Sequence, residues 1–318
     1  MIYTVTLNAA VDRILYFSEP LQAKKNNRIS QIAYDYGGKG THVSSVLTKM
    51  GINQLALAII GGETGERLKE LLSKEHIDFK FIQQQGVKTR ESIILVDNAG
   101  KGSVMITEGG FQIDRSVFDQ LIDYLNIITP EDTVVFAGNP PANFPLKWYG
   151  EILNFVNQKG AKLVVDASGD YLNEAIAHKP TVIKPNEFEF AQWMGKSHMS
   201  EEEIEEALPM LAEKSQIPYL IVSLGKRGSM VYNNGELIRV IPPKVVEIND
   251  TGCGDVFVGG VVAKLSEGKS IQEILRFATS LSASKAAQET SSHIDFDYAK
   301  KLEDEVNILV KQLEEVYK

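Results

Sequence analysis

Short apolar runs in this chain alternate with longer stretches in which apolar residues recur every three or four positions. The runs at 2–8, 54–60, 133–137, 162–166, 181–184 and 219–224 read as core strands. The periodic stretches at 40–50, 63–75, 114–127, 146–158, 186–195, 201–214, 254–266, 271–288 and 296–316 read as helices. Alternation at this spacing builds βαβ units, hence an α/β fold with a mostly parallel sheet covered on both faces. Residues 12–36 and 79–107 break the rhythm, because they are strand-like without helices, as in Glu91-Ser92-Ile93-Ile94-Leu95-Val96. They predict a small β-sheet set against the core as a lid. No repeat, low-complexity segment or long linker interrupts the chain. Residues 1–318 are therefore expected to form one domain with the two lid segments inserted.

Composition removes several function classes. The chain has 318 residues, 43% of them hydrophobic, enough for a large core. Its net charge of −9 offers no basic face, so nucleic acid is not an expected partner. No apolar run approaches the ~18 residues a membrane span needs, so no membrane partner is expected either. Met1–Asn8 reads as a strand rather than a leader, and a cytoplasmic protein is expected. One cysteine excludes an internal disulfide and a cysteine-rich metal site. The five histidines, at 42, 76, 178, 198 and 293, are scattered.

The candidate chemistry gathers where strands end. Gly252-Cys253-Gly254-Asp255 opens an apolar helix after an extended segment. A glycine turn entering a helix leaves unpaired N–H groups and partial positive charge, a cradle for phosphate. Asp255 would repel phosphate, and it fits there as the base that takes a proton from an attacking hydroxyl. The plainer use of such an aspartate is favourable helix-end electrostatics. Cys253 either fills a small slot or serves as a redox thiol. The turn is not a G-x-G-x-x-G fingerprint, since residue 257 is Phe, and no Walker loop occurs. Gly37-Gly38-Lys39-Gly40 is a second backbone anion site with a lysine attached, or a plain strand-to-helix turn. Asp12 can bind sugar hydroxyls or cap a turn, and Arg90 can fork onto a phosphate or sit solvated at an edge. Asn186 and Glu189 suit a hydrated Mg²⁺, or a capping box. Gly138-Asn139-Pro140-Pro141 and Ser223-Leu224-Gly225-Lys226-Arg227-Gly228 end two further strands.

Together these segments resemble the ribokinase-like (PfkB) carbohydrate kinases over essentially the whole chain. Thr6-Leu7-Asn8, Asp12, Gly37-Gly38-Lys39-Gly40, Thr89-Arg90, Gly138-x-Pro140-Pro141, Asp166-x-Ser168-Gly169, Lys184-Pro185-Asn186-x-x-Glu189, Ser223-Leu224-Gly225 and Gly252-x-Gly254-Asp255 stand in the family's order. The resemblance points to the branch with 1-phosphofructokinase, tagatose-6-phosphate kinase and the minor 6-phosphofructokinase. It implies a three-layer α/β/α fold with a β lid, often dimeric through that lid. It implies ATP and Mg²⁺, with a ketohexose monophosphate as acceptor. Asp255 would be the base, and Gly252, Cys253 and Gly254 the anion hole. Lys184, Asn186, Ser223, Gly225 and Gly228 would lie along ATP, with Gly252 and Gly254. Asn186 and Glu189 would organise Mg²⁺ through water. Asp12, Gly37, Gly38, Lys39, Arg90 and Asn139 would face the sugar phosphate. The chain departs from the branch at Ala9, His42, Glu108-Gly109-Gly110, Asn139 and Cys253, mostly on the sugar side. Tagatose 6-phosphate, fructose 1-phosphate and fructose 6-phosphate stay open as acceptors. A regulator that binds sugar phosphate without turnover is the rival class, and it would be expected to have lost Asp255 or a glycine of the hole.

Overall fold

The computed structural model describes residues 1–97, 102–233, 235–288 and 294–312. The strands are β1 (Ile2–Thr6), β2 (Ala10–Phe17), β3 (Gln31–Gly37), β4 (Gln54–Ile60), β5 (Phe79–Gln83), β6 (Arg90–Asp97), β7 (Gly102–Thr107), β8 (Thr133–Ala137), β9 (Lys162–Asp166), β10 (Val182–Ile183), β11 (Tyr219–Ser223), β12 (Ser229–Asn233), β13 (Glu236–Ile241) and β14 (Asn307–Gln312). The helices are α1 (Lys39–Lys49), α2 (Gly62–Lys74), α3 (Arg115–Tyr124), α4 (Leu146–Gln158), α5 (Gly169–Ala177), α6 (Glu187–Trp193), α7 (Glu201–Ser215), α8 (Cys253–Ser266), α9 (Ile271–Ala286) and α10 (Phe296–Leu302).

Ten strands form one sheet in the order β14-β13-β12-β11-β10-β9-β8-β1-β4-β5, parallel from β11 to β5. Alternate side chains divide its core into two layers, as the pleat requires. Tyr3, Val134, Phe136, Leu163, Val165, Leu220 and Val222 pack on one side with residues of α3 to α7. Ile2, Val135, Val164 and Ile221 pack on the other with residues of α1, α8 and α9. The four-stranded sheet has the order β3-β2-β6-β7. Its register places Asp35, Asp12, Ser92 and Thr107 in one row across the strands. On the opposite face lie Ile32, Leu15, Leu95 and Val104, then Tyr34, Arg13, Ile93 and Ile106.

Two expectations are corrected. Phe79–Gln83 does not belong to the small sheet but pairs in parallel with β4 at the edge of the large one. The helix expected over 296–316 ends at Leu302, and Asn307–Gln312 is a strand pairing antiparallel with β13. Apolar residues at 302, 306, 309 and 310 satisfy a helical period, but an open sheet edge offers backbone partners that a solitary helix end lacks. Residues 313–316 of that expected helix lie outside the described residues. The antiparallel strands β12 and β13 and helix α5 had no counterpart in the expected pattern.

Helix α8 is buried on nearly all sides, and two glycines let its neighbours approach. A methyl group on Gly259 would lie 2.7 Å from Val46 Cγ1. One on Gly260 would lie 2.9 Å from the Cα of Ala278. The second contact is with backbone and cannot give way by a rotamer change. Gly260→Val is therefore expected to lower stability by about 2–3 kcal/mol through overpacking, read as a reduced urea midpoint with an unchanged slope.

Candidate active site

The C-terminal ends of the parallel strands, where open α/β sheets bind ligands, gather most of the expected residues. A cleft of about 440 Å³ opens between the two sheets. Thr6, Gly38, Lys39, Arg90, Asn139 and Tyr171 are among the residues lining it. Asn8, Glu108 and Gly109 close it from the small-sheet side. Asp12 and Asp255 are buried, at 5% and 8% exposure.

At the centre lies a carboxylate for which the local sequence implies no role. Asp166 ends β9 and is almost wholly buried. Its Oδ2 lies 3.4 Å from Lys39 Nζ and its Oδ1 3.5 Å from Lys184 Nζ. Burial alone would raise its pKa, but the two ammonium groups more than offset that and hold it below the ordinary carboxylate range. Asp166 in turn raises the pKa of Lys39, with Asp255 and Glu189 adding to the effect. The signal for Asp166 was present in the sequence, a charged residue closing an apolar strand just before Ala167-Ser168-Gly169.

Asp255 sits in the first turn of α8. Burial pushes its pKa up to about 7, Lys39 and Lys184 pulling against that and Asp166 adding to it. The helix enters through Gly252 at φ 84°, a left-handed conformation that glycine adopts without steric cost. No side chain caps this N-terminus. Gly254 is exposed, with nothing within 4 Å of the position a Cβ would take. Space beside unpaired N–H groups is what an anion requires. Cys253 behaves otherwise than helix-end electrostatics alone would suggest. Burial pushes its thiol up to about 11, so the small-slot reading fits and a reactive thiolate does not.

At the other glycine turn, Gly38 enters α1 at φ 101°, also without a side-chain cap. A Cβ on Gly37 would lie 2.3 Å from Asp12 Oδ1, so the absence of a side chain there makes room for the carboxylate. Burial pushes the Asp12 pKa up to about 6, with His42, Ser92 and Arg90 pulling it back. His42 is buried, its ring 5.5 Å from that of Tyr36, and burial holds its pKa below the ordinary value. Arg90 donates from Nε to the Asn8 carbonyl at 3.1 Å and from Nη1 to Ser92 Oγ at 3.4 Å. Asn139 spends its amide on Ser168, donating to Oγ at 2.8 Å and accepting from the backbone N–H at 2.8 Å. It ties the Gly138–Pro141 loop to the turn after β9.

Asn186 and Glu189 form a complete capping box at the start of α6. Asn186 Oδ1 accepts from Glu189 N at 2.9 Å, and Glu189 Oε2 accepts from Asn186 N at 2.8 Å. Beyond the end of β10, Asn186 meets Ser223 of β11 through an isolated parallel bridge. Gly225 has open space around it, whereas Gly228 is pressed against the Val240 carbonyl of β13.

The raised pKa of Asp255 fixes a sign for stability. The folded chain binds this proton more tightly than the ordinary value of 3.8, so ionisation opposes folding. The cost is absent below about pH 4, grows between there and about pH 7, and is complete above. Asp255→Asn carries no charge. Its Tm is expected to match that of the wild type near pH 4 and to exceed it at pH 8, measured by scanning calorimetry.

The model of the pfkB family carbohydrate kinases matches residues 5–296. A provisionally assigned phosphofructokinase from Staphylococcus aureus is 29% identical, with 99% of this chain and 100% of that one covered and a TM-score of 0.83. Phosphofructokinase-2 from Escherichia coli in complex with potassium shares the fold at a TM-score of 0.91 and 23% identity, over 96% and 98% of the two chains. A provisionally assigned 1-phosphofructokinase from Thermotoga maritima does so at 0.86 and 23%, over 98% and 100%. Among the described residues no helix is long and apolar enough to cross a membrane. With an uncapped glycine turn open on one side, a buried carboxyl beside it and the family model spanning both sheets, the chain belongs to the pfkB family of carbohydrate kinases and is a sugar kinase that transfers phosphate.

Proposed function

We propose that the protein transfers the γ-phosphoryl group of ATP to the free terminal hydroxyl of a ketohexose monophosphate, giving the 1,6-bisphosphate. The observation that carries this reading is Asp255. It is a buried carboxyl with a pKa near neutrality, in the same turn as the open N–H groups of Gly252 and Gly254, the Cys253 N–H being turned back onto the Asp250 carbonyl. In this reading Asp255 takes the hydroxyl proton while those N–H groups hold the charge spread over the transferring group. Lys39 and Arg90 take the phosphate already on the sugar, for which an unphosphorylated substrate would have no use. Asp12 accepts from sugar hydroxyls. Asn139 acts by shaping its loop rather than by its amide, which Ser168 already engages. Lys184, Asn186, Ser223, Gly225 and Gly228 lie along ATP.

The residues present fit a hydrated Mg²⁺. The capping box occupies one carboxylate oxygen of Glu189 and leaves the other able to accept from metal-bound water. The buried Oδ1 of Asp166 makes no hydrogen bond among the described residues, its neighbour being the Lys184 ammonium. Such donors suit a cation that keeps its waters and binds mainly to phosphate. Bound there, it would neutralise developing charge on the phosphate oxygens.

Tagatose 6-phosphate and fructose 1-phosphate are the first acceptors to test, with fructose 6-phosphate third in the same coupled assay with ATP. A regulator without turnover is disfavoured because Asp255 and both glycines of the turn are in place. Phosphorylation of none of the three sugar phosphates would end this reading. We also place the protein in the cytoplasm as a homodimer joined through the small sheet. Ile32, Tyr34, Val104 and Ile106, on one face of it, are 38–53% exposed.

Three outcomes follow. Asp255→Asn should keep ATP affinity and lose roughly 10²–10⁴ in kcat, and retention of more than about a tenth would remove it as the base. Arg90→Ala should raise KM for the sugar phosphate by the equivalent of roughly 1.5–3 kcal/mol while leaving KM for ATP nearly unchanged. Light scattering should give twice the 35.2 kDa chain mass, falling to one chain mass in Ile106→Glu.

A further inference from the structure

Lys285 is the one lysine among the described residues with no exposed surface at all, and the chemistry above does not use it. It stands in the last turn of α9. Its Nζ donates to the carbonyl of Asn249 at 3.1 Å, directly behind the turn that opens α8. Two neighbours on the same helix face hold the same turn. The Ala286 carbonyl accepts from the backbone N–H groups of Ile248 at 2.8 Å and Asn249 at 3.1 Å. Ser282 Oγ donates to the Cys253 carbonyl at 3.0 Å. Residues 282, 285 and 286 are spaced i, i+3 and i+4, so one stripe of α9 grips the turn from behind.

The geometry of the peptide unit gives this grip a direction. In a trans peptide the C=O and N–H point opposite ways. A turn that aims N–H groups at an external anion must therefore aim its carbonyls into the protein, where each needs a donor. The Asn249 carbonyl shares its peptide with the N–H of Asp250, and the Cys253 carbonyl shares its peptide with the N–H of Gly254. Lys285 takes the first carbonyl and Ser282 the second. An ammonium in that place also draws electron density inward, which makes the outward N–H a stronger donor. Burying a lysine is costly. Burial lowers its proton affinity, while the Cys253 thiol and the Asp250 carboxylate work against that loss.

We propose that Lys285 is a positioning residue for phosphoryl transfer: its buried ammonium holds the Asn249 carbonyl inward and so keeps the open N–H groups of Gly252 and Gly254 facing the transferring phosphate. This rests on the kinase reading above. The residue touches no substrate and acts only through the turn.

Two variants separate charge from packing. Lys285→Ala leaves a cavity, and Lys285→Met fills it without charge. Both are assayed for kcat and KM with ATP and the sugar phosphate turned over by the wild type. Each is titrated with ethylammonium chloride, with tetramethylammonium chloride as the ionic-strength control. Both variants should lose about 10²-fold in kcat, the usual scale for a disturbed oxyanion hole, with much smaller changes in KM. Ethylammonium should restore Lys285→Ala saturably by about tenfold or more, and should leave Lys285→Met unchanged. Hydrogen exchange of the peptide covering 247–257 should accelerate in Lys285→Met while peptides from β8 and β9 keep wild-type rates. Retention of more than about a third of wild-type kcat in both variants would overturn the proposal. So would loss without rescue, or exchange that is unchanged at 247–257 or accelerated throughout the chain. A wild type that phosphorylates no sugar phosphate would sink the kinase reading instead, and the exchange measurement alone would then decide whether Lys285 orders the turn.

Discussion

The structure is organised around one buried carboxylate. Asp166 lies almost out of contact with water, where an unpaired charge would cost several kcal/mol. Lys39 from the start of α1 and Lys184 just after β10 close on it from two sides. These residues are far apart in the chain, so the ion pairs lock three strand exits into one surface. The same charges set the proton affinity of Asp255, which burial raises and the two lysines restrain. Removing either lysine would leave a buried charge without its partner, the costly way to break such a cluster. A hydrophobic replacement of the whole cluster could preserve the fold, but it would remove the two ammonium groups that restrain the effect of burial on Asp255.

Two glycine turns then give the cluster something to act on. Both α1 and α8 begin at a glycine with positive φ and without a side-chain cap. By contrast, α6, α7 and α9 begin with complete capping boxes, which satisfy their first N–H groups internally. The open helix ends face the strand exits. Their carbonyls must be satisfied from behind, and for α8 that falls to α9. Tight packing at Gly259 and Gly260 makes this possible, because it brings α8 close to its neighbours on both sides.

The small sheet has two unlike faces for a simple reason. The strand pleat puts alternate residues on opposite sides, and the register lines up the row Asp35, Asp12, Ser92 and Thr107 on one side and two largely apolar rows on the other. Asp12 and Ser92 fall on the site-facing side, with Asp12 lodged over Gly37. Ile32, Val104 and Ile106 fall on the outer side and remain exposed.

Much of this was legible in the order of residues alone. Apolar runs alternating with helical periods announce a parallel sheet, because each strand must be buried on both faces. Glycines before a helix announce open N–H groups, because that chemistry is local. Asp255, Lys39, Arg90 and the Asn186–Glu189 pair were visible for the same reason. Other features needed the fold. Asn307–Gln312 carries a pattern that suits helix or strand, and the free edge of β13 chose strand. Phe79–Gln83 joined the large sheet because β4 had an unpaired side. The amide of Asn139 was committed by Ser168, and the charge state of Cys253 by burial rather than by its helix end. Asp166 and Lys285 carry no motif that reveals their partners, since those lie 127, 18 and 36 residues away along the chain. Local sequence determined backbone shape and the identity of the candidate groups, and tertiary packing decided which buried charges meet, because desolvation acts only once distant segments exclude water together.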